Sequence, residues 1–239
     1  MSTRFKPEKR SLMLGRQAFR LGQGKRDVRT TPHRYQKALK VSGHHAKLSD
    51  LTQPDHFSEN MFREIGFGEI ESLDMSDYQG ATLQWDLNQP VPLDWHGQFS
   101  FIFDGGTLEH VFNIPQAFAN VFNMLAEGGR FVGLNPYNGF PSHGMYQFSP
   151  ELVWTYWKHG CGCTVHSCRA IHEISNYSRN LPDPTELGGR LPVKLGLRLQ
   201  GRMPWNSVLL WYEVERTRGA SIASSVQQSD YLSTWGAAK

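Results

Sequence analysis

The most regular pattern of apolar and polar positions lies near the middle of the chain. A mostly apolar run extends from Phe99 to Phe103 and stops at Asp104, which two glycines follow. Over residues 111–125 apolar side chains recur at helical spacing, and a second mostly apolar run covers residues 130–134. This order of strand, helix and strand predicts a βαβ unit, and βαβ units build parallel sheets.

Shorter apolar runs elsewhere predict five more strands. They cover residues 11–14, 69–73, 81–85, 163–171 and 207–216. Helices are predicted over residues 35–41 and 56–65, and from Ser149 to Gly160, because Ser149 is a favourable N-cap and Pro150 a favourable first residue. The stretch 176–205 is rich in proline and glycine and is predicted to be loop.

The length of 239 residues suits one α/β domain with a full core. We expect a single domain over residues 1–218, with a basic lead-in over residues 1–10 and a mobile C-terminal tail over residues 219–239. The chain has no apolar run of the roughly 18 residues that a membrane span requires. Its first residues also lack the apolar core of a signal peptide, so the expected location is cytoplasmic, without a membrane partner.

Basic residues are concentrated at the start of the chain. The first 50 residues carry 13 Lys or Arg against 3 acids, and the remaining 189 carry 12 against 19. This excess can attract phosphate-rich partners or an anionic substrate, or it can form a solvated basic face. Because the charges are dispersed among Leu, Phe, Tyr and Gly, a small-molecule partner is favoured over a nucleic acid.

The three cysteines lie in one short segment that invites a zinc hypothesis. In a strand, Cys161 and Cys163 would share one face, whereas His166 and Cys168 would share the other. A single strand therefore cannot arrange these four side chains around one ion. We expect buried cysteines in a reducing compartment, and we predict no metal site.

The central pattern carries a family resemblance. The run Leu108-Glu109-His110-Val111, followed by a helix and by Leu125-Ala126-Glu127-Gly128-Gly129, resembles the second half of class I S-adenosylmethionine-dependent methyltransferases. In that family an EHV stretch follows the fourth strand, and an LxxGG turn introduces the fifth. The resemblance implies a Rossmann-like α/β fold, with a seven-stranded, mostly parallel sheet, helices on both faces and an antiparallel last strand. The seven predicted strands match it over residues 10–216.

The resemblance also implies S-adenosylmethionine as the cofactor. Asp74 ends the second strand, where the family has its ribose-binding acid, and Asp86 with Leu87 follows the third, where the family contacts the adenine. Carboxylates suit both positions because they accept hydrogen bonds from a diol or an amine. The resemblance extends the predicted cofactor site to the residues after the fourth strand, Asp104, Gly105 and Glu109.

The first loop departs from the family pattern of an acid followed by Gly-x-Gly-x-Gly. Only Gly15 remains of the three glycines, and it can still adopt a positive φ and let the backbone approach a cofactor. Gln17 lies where the second glycine would be. Either Arg16 or Gln17 could bind the cofactor carboxylate instead, or Gly22 and Gly24 could serve in a rearranged loop.

Two histidines are candidate catalytic bases. Methyl transfer is an in-line displacement, and a base is needed where the acceptor must lose a proton. His110 lies just past the fourth strand, near the expected position of the methyl group, and an imidazole titrates near neutrality. It could instead bond a loop backbone, with Glu109 orienting it or serving as a first-turn acid. His143 lies after the fifth strand, in a Gly/Pro loop whose aromatic and amide side chains could form an acceptor pocket.

The sequence therefore predicts an S-adenosylmethionine-dependent methyltransferase acting on a small molecule or biosynthetic intermediate. One alternative is a catalytically inactive protein of the same fold that binds or scaffolds, which the altered first loop suggests. Another is a nucleic-acid methyltransferase, which the basic N-terminal region suggests. Residues 104–107 lack the Asn/Asp-Pro-Pro-Tyr type of motif for that role. Neither the acceptor nor the oligomeric state follows from the sequence.

Overall fold

The computed structural model describes residues 5–19, 40, 46–172, 178–189 and 207–237, and it shows one eight-stranded sheet. The strands are β1 (Arg10–Leu14), β2 (Ile70–Asp74), β3 (Leu83–Gln84), β4 (Phe99–Asp104), β5 (Leu125–Asn138), β6 (Thr164–His172), β7 (Ser178–Asn180) and β8 (Val208–Glu215). Their order across the sheet is β3-β2-β1-β4-β5-β8-β6-β7.

The strand directions confirm the predicted fold class. Strands β1 to β5 pair in parallel, and β8 lies antiparallel between β5 and β6. The sheet has eight strands rather than the expected seven, because β7 pairs with the outer edge of β6. This short strand falls in the stretch predicted to be loop, and its three polar residues show no apolar alternation.

Helices follow several of the strands. They are α1 (Glu59–Phe62, continued by a π-helical turn over Arg63–Phe67), α2 (Ile114–Met124), α3 (Pro150–Leu152, continued by a π-helical segment over Val153–Gly160) and α4 (Ser229–Ala237). Short 3-10 turns cover Leu48–Leu51, Leu93–Trp95, Leu108–His110 and Pro184–Leu187. The predicted N-cap of α3 is present, since the Ser149 side chain accepts from the Leu152 N–H.

Alternating side chains of the sheet build a core on each face. Leu12 and Leu14 of β1 belong to the larger core, which also receives side chains from α2 and α3. Met13 points the other way and packs with Phe62 and Phe67 from the α1 segment. Helices therefore cover both faces of the sheet, as the family resemblance implied.

Several predicted elements differ in extent from the observed ones. Strand β3 has two residues instead of five, at an edge where Gln84 is exposed to solvent. The helix predicted over residues 35–41 falls outside the described residues except for Lys40, which is helical. The tail expected to be mobile contains α4, whose first residue, Ser229, bonds to Glu151 through its N–H and its hydroxyl. Its mobility remains a prediction.

Gly15 directly follows β1 and begins the turn into the next loop. Its φ is +65°, its N–H donates to the Leu73 carbonyl over 2.7 Å, and a Cβ at this position would lie 2.5 Å from Thr107 Oγ1. A side chain here would therefore meet both an unfavourable backbone conformation and a steric clash.

We expect Gly15→Ala to lower the free energy of unfolding more than Gly97→Ala does. Gly97 has the same φ of +65° but open space around its missing Cβ, so it serves as a matched control for backbone strain alone. The clash at Gly15 should add about 1–3 kcal/mol of destabilisation. Chemical denaturation of both variants measures this difference, and equal losses would contradict the steric argument.

Candidate functional site at the carboxyl ends of the strands

The strand order creates a topological switch point between β1 and β4. Strands β2 and β3 extend to one side of β1, and β5 extends beyond β4 on the other side. In open parallel sheets, ligands bind in the crevice at such a point, beyond the carboxyl ends of the strands. The Thr107 hydroxyl bridges the two loops there by donating to the Leu14 carbonyl over 2.8 Å.

The side chain of Gln17 fills part of this crevice. Its Nε2 donates to the Leu14 carbonyl over 2.7 Å and approaches Thr107 Oγ1 at 3.2 Å. A Cβ added at Gly105 would lie 2.9 Å from Gln17 Oε1, so the glycine leaves room for this amide. The amide thus joins the loops after β1 and β4 in space that the family's second glycine would leave open.

Arg16 is held on the other side of the same turn. Its Nε donates to Glu59 over 2.6 Å, and one terminal nitrogen donates to Asp55 over 2.8 Å. The guanidinium also lies 4.0 Å above the centroid of the Phe57 ring. Both side chains considered for the cofactor carboxylate therefore make intramolecular contacts, and either would have to exchange them to bind a ligand.

Two of the predicted cofactor acids lie at the ends of neighbouring strands. Asp74 is partly exposed and accepts from the Met75 N–H over 2.7 Å. Asp86 accepts from the N–H and the side-chain amide of Asn88 over 2.9 and 2.7 Å. A carboxylate offers about four acceptor positions, so both acids can bind further donors. Leu87 differs, because its side chain is buried in the core.

A buried hydrogen-bond network lies beneath the switch point. Nδ2 of Asn135 donates to Asp104 Oδ2 over 2.6 Å and to Glu109 Oε2 over 3.0 Å. The Tyr212 hydroxyl donates to Asn135 Oδ1 over 2.9 Å. All four side chains are almost completely buried. Their arrangement leaves the second oxygen of Glu109 directed towards the two candidate histidines.

Burial perturbs the titration of this network. Desolvation, aided by the charge of Glu109, raises the pKa of Asp104 to about 7, although the Asn135 amide and two backbone N–H groups oppose that rise. Burial also raises the pKa of Tyr212, and the neighbouring charges of Asp104 and Glu109 add to the effect. The tyrosine therefore remains protonated and serves as a hydrogen-bond donor.

The two predicted catalytic histidines lie side by side. The ring centroids of His110 and His143 are 5.1 Å apart, and both side chains are about half exposed. Glu109 Oε1 is 4.0 Å from His110 Nε2 and 3.6 Å from His143 Nε2. The structure thus brings together residues that are 33 positions apart in the chain, around one buried carboxylate.

Backbone contacts hold the His143 loop in this position. The N–H groups of Met145 and Tyr146 both donate to the Glu109 carbonyl, over 2.8 and 3.2 Å. Gly144 permits the approach, since a Cβ there would lie 2.9 Å from that carbonyl oxygen. The Tyr146 hydroxyl donates to the Phe112 carbonyl over 2.7 Å. The loop after β5 is therefore fastened to the turn after β4.

Exposed apolar side chains surround the histidines and the Asp74 loop. Phe112 and Met145 stand near the histidine pair, and Met75 and Tyr78 follow Asp74. Large apolar groups in contact with water at a polar crevice are typical of surfaces that bind organic ligands. They supply apolar faces on which an organic ligand can pack.

The sequence analysis did not place Asn135 or Tyr212 in the site. A signal was available for Asn135, because a polar residue at the carboxyl end of a buried strand needs a partner. Tyr212 gave no such signal, since aromatic residues are common in strands and its role depends on the register of β8 against β5.

The cysteines are buried and unpaired, as expected. Burial raises the pKa of Cys163 to about 12 and also raises that of Cys168, so these thiols stay protonated at neutral pH. Within the described part of the chain, they form no cluster with His166 that could hold a metal ion.

A separate cleft lies at the opposite edge of the sheet, where the parallel strands begin. Lys9, His96, Gln98, Asn123 and Glu127 contribute to its walls. Because parallel sheets bind ligands at the carboxyl ends of their strands, we assign the candidate site to the edge that carries Gly15 and Glu109.

We expect the stability of the protein to depend on pH through Asp104. The folded-state pKa of about 7 lies above the ordinary value of 3.8, so the folded state retains a proton that the unfolded state releases. Stability is therefore lost as the pH rises from about 4 to 7. Relative to Asp104→Asn, the wild type should lose on the order of 2–3 kcal/mol between pH 5 and pH 8. Denaturation curves at both pH values test this, and a pH-independent difference would contradict it.

Comparisons with known proteins find solved structures of low similarity, several of which are named as methyltransferases. No family model matches the chain, and no curated protein does. The YcgJ protein from Bacillus subtilis is 11% identical, with 91% of this chain and 96% of that chain covered and a TM-score of 0.45. An O-methyltransferase of a Brevibacillus brevis multienzyme, solved with S-adenosyl-L-homocysteine, is 11% identical, with coverages of 97% and 72% and a TM-score of 0.42.

A third structure is a Haemonchus contortus N-methyltransferase in complex with phosphomonomethylethanolamine and S-adenosylhomocysteine. It is 11% identical, with 90% of this chain and 50% of that chain covered and a TM-score of 0.41. Similarity at these levels does not establish an activity, so the assignment of the fold rests on the strands themselves. None of the helices in the described ranges is long and apolar enough to cross a bilayer. By the order and direction of its strands, the chain has the Rossmann-like α/β fold expected of class I methyltransferases.

Proposed function

We propose that this protein is an S-adenosylmethionine-dependent methyltransferase acting on a small molecule or biosynthetic intermediate. The main support is that two groups of side chains lie next to each other at the same topological switch point. The Gly15 turn and the strand-end acids Asp74 and Asp86 form the side suited to a nucleoside cofactor. His110 and His143 stand beside Glu109 on the neighbouring side, where an acceptor would be activated.

The proposed cofactor site uses the ends of β1 to β4. Asp74 accepts from the ribose hydroxyls, and Asp86 accepts from the adenine amine. The buried Glu109 carboxylate gives this edge of the sheet a negative potential, to which Asp104 adds above its pKa of about 7. A negative potential favours a sulfonium cation over its neutral demethylated product. Gln17 moves from its contacts with Leu14 and Thr107, or contributes its amide to the cofactor from where it lies.

The proposed acceptor site lies between the 3-10 turn after β4 and the loop after β5. His110 and His143 act on the acceptor, most directly by taking its proton, while Phe112 and Met145 pack against its carbon skeleton. The loop that carries His143 is fastened to the Glu109 carbonyl by the Met145 and Tyr146 N–H groups, which suits a small acceptor better than a folded polymer.

A second function, ligand binding without methyl transfer, is favoured by one observation. The Gln17 side chain occupies space in the crevice where the family has a glycine. The nucleic-acid alternative rests on the basic N-terminal region, much of which lies outside the described residues. Two experiments separate these three functions.

The first experiment measures cofactor binding by isothermal titration calorimetry with S-adenosylhomocysteine. We expect one molecule to bind per chain, and we expect Asp74→Asn to weaken binding at least tenfold, because hydrogen bonds to a charged acceptor contribute about 1.5–3 kcal/mol. Asp94→Asn is the matched control, since this exposed aspartate precedes β4 at the opposite edge of the sheet. Absence of binding to the wild type would refute the proposed cofactor.

The second experiment follows the radiolabelled methyl group of S-adenosylmethionine into fractions of a cell extract. We expect label in the fraction below about 1 kDa, with His110→Ala and His143→Ala each lowering the rate by about 100-fold or more, the usual range for loss of an acid–base group. Binding of S-adenosylhomocysteine should change little in either variant. His166→Ala is the control, because this exposed histidine pairs with Glu215 at the far edge of the sheet.

The distribution of label decides between the alternatives. Label in nucleic acid would favour a nucleic-acid methyltransferase. Cofactor binding with no label in any fraction would favour ligand binding without methyl transfer. Full activity in both histidine variants would remove them from the mechanism.

A further inference from the structure

Glu109, His110 and His143 form a cluster of three potential metal ligands. One donor atom of each lies within 4.8 Å of the other two. The sequence analysis considered a metal only at the cysteines, since the proximity of His143 to Glu109 depends on the folded loop. Two imidazoles and one carboxylate are a frequent ligand set for transition metals in proteins.

The distances between the donor atoms are close to those that one shared ion requires. Ligand atoms bind zinc-like ions at about 2.0–2.2 Å, so two ligands on one ion lie roughly 3.0–3.5 Å apart. His143 Nε2 is already 3.6 Å from Glu109 Oε1, and His110 Nε2 is 4.0 Å away. Both rings are half exposed and can rotate. Small rotations of the two side chains would bring all three atoms to bonding distance of one ion.

The surroundings of the cluster orient its ligands. Asn135 Nδ2 donates a hydrogen bond to Glu109 Oε2, so Oε1 remains available to bind the ion. Tyr212 fixes Asn135 in turn, and the Met145 N–H holds the His143 loop on the Glu109 carbonyl. Outer groups of this kind set the orientation of metal ligands and are as characteristic of metal sites as the ligands themselves.

The charge of the site favours a cation. Asp104 and Glu109 are buried and share the Asn135 amide. Within the described ranges, no Lys or Arg side chain forms an ion pair with either carboxylate, and the histidines are the nearest basic groups. A bound divalent ion would compensate the buried charge of Glu109.

We propose that Glu109, His110 and His143 bind one divalent first-row transition metal ion, with Zn²⁺ as the best-matched species. Two of the three donors are imidazole nitrogens, which suit Zn²⁺, Co²⁺ or Fe²⁺ and not the oxygen-preferring Mg²⁺ or Ca²⁺. Three protein ligands leave at least one coordination position open, and both histidines face solvent on that side.

The open position gives the metal a role towards the acceptor. In this role the ion replaces direct proton removal by His110 or His143, because their Nε2 atoms would be bound to it. A hydroxyl oxygen bound there loses its proton more easily, because the ion stabilises the alkoxide or phenolate that attacks the methyl group. The oxygen gains the methyl carbon, the sulfonium sulfur keeps the electron pair of the broken bond, and the released proton passes to water. This catalytic role rests on the proposed function, and it narrows the acceptor to a hydroxylated small molecule. Metal binding itself does not depend on that function.

The binding experiment uses the full chain after removal of metal by chelation and dialysis. Zn²⁺ is titrated by calorimetry, and Co²⁺ is titrated by its visible absorption, which reports nitrogen and oxygen coordination. We expect one equivalent to bind to the wild type. His110→Ala and His143→Ala should each weaken binding by more than the roughly 10- to 100-fold typical of losing an outer-sphere partner.

Controls separate this site from others in the chain. His166→Ala and Cys161→Ala should bind metal like the wild type, since neither residue belongs to the cluster. The histidine rings are half exposed, so their removal should leave thermal unfolding nearly unchanged. Absence of stoichiometric binding to the wild type would overturn the proposal, and so would unchanged affinity in both His110 and His143 variants.

The catalytic role is tested separately with the label-transfer assay. Chelation should abolish transfer, and added Zn²⁺ or Co²⁺ should restore it to the wild type but not to His143→Ala. Metal binding with transfer that survives chelation would overturn the role in acceptor activation. Metal binding in a protein that transfers no methyl group under any condition would uphold the site and refute the proposed function.

Discussion

The candidate site depends on one buried amide, that of Asn135. It donates to Asp104 at the end of β4 and to Glu109 in the following turn, and it accepts from Tyr212 on β8. Two neighbouring carboxylates in a dry interior repel each other and lose their hydration, which hydrogen bonds, nearby cations and the raised pKa of Asp104 offset. Asn135 therefore determines both the position of β4 relative to β5 and the direction in which Glu109 faces. It can do this because Gly133, two residues earlier, leaves room for the Tyr212 ring.

The sequence correctly predicts the elements in which burial determines the pattern of apolar and polar positions. Strand β4 and helix α2 are flanked by apolar neighbours on several sides, so their periodicity is clear. Strand β7 and helix α4 lie at the periphery, where few positions need to be apolar. Tyr231 and Trp235 of α4 are exposed, and the segment shows little amphipathic pattern. Tertiary contacts, such as the bonds from Ser229 to Glu151, are not visible in a linear pattern.

A candidate site residue could be predicted where its position follows from the end of a single strand. Asp74 ends β2, Asp86 lies two residues beyond β3, and Glu109 and His110 belong to the first turn after β4. Features that depend on two loops meeting were not predictable. The contact of Gln17 with Thr107 spans 90 positions, and no local pattern in the sequence indicates it. The same limit applies to the cluster around Glu109, because the distance between its histidines follows from the path of the loop after β5.

The way in which that loop is fastened has a consequence for specificity. Its main anchor is the carbonyl oxygen of Glu109, which accepts from the backbone of Met145 and Tyr146, and a carbonyl is present whatever side chain that position carries. The close approach confines Gly144, and positive φ values of +80° and +61° constrain Gly139 and Ser142. The loop can therefore exchange its exposed side chains, Met145 among them, without a change in its path. For the methyl transfer proposed above, divergence at exposed positions such as Met145 would alter which acceptor is recognised, while His143 would keep its place beside Glu109.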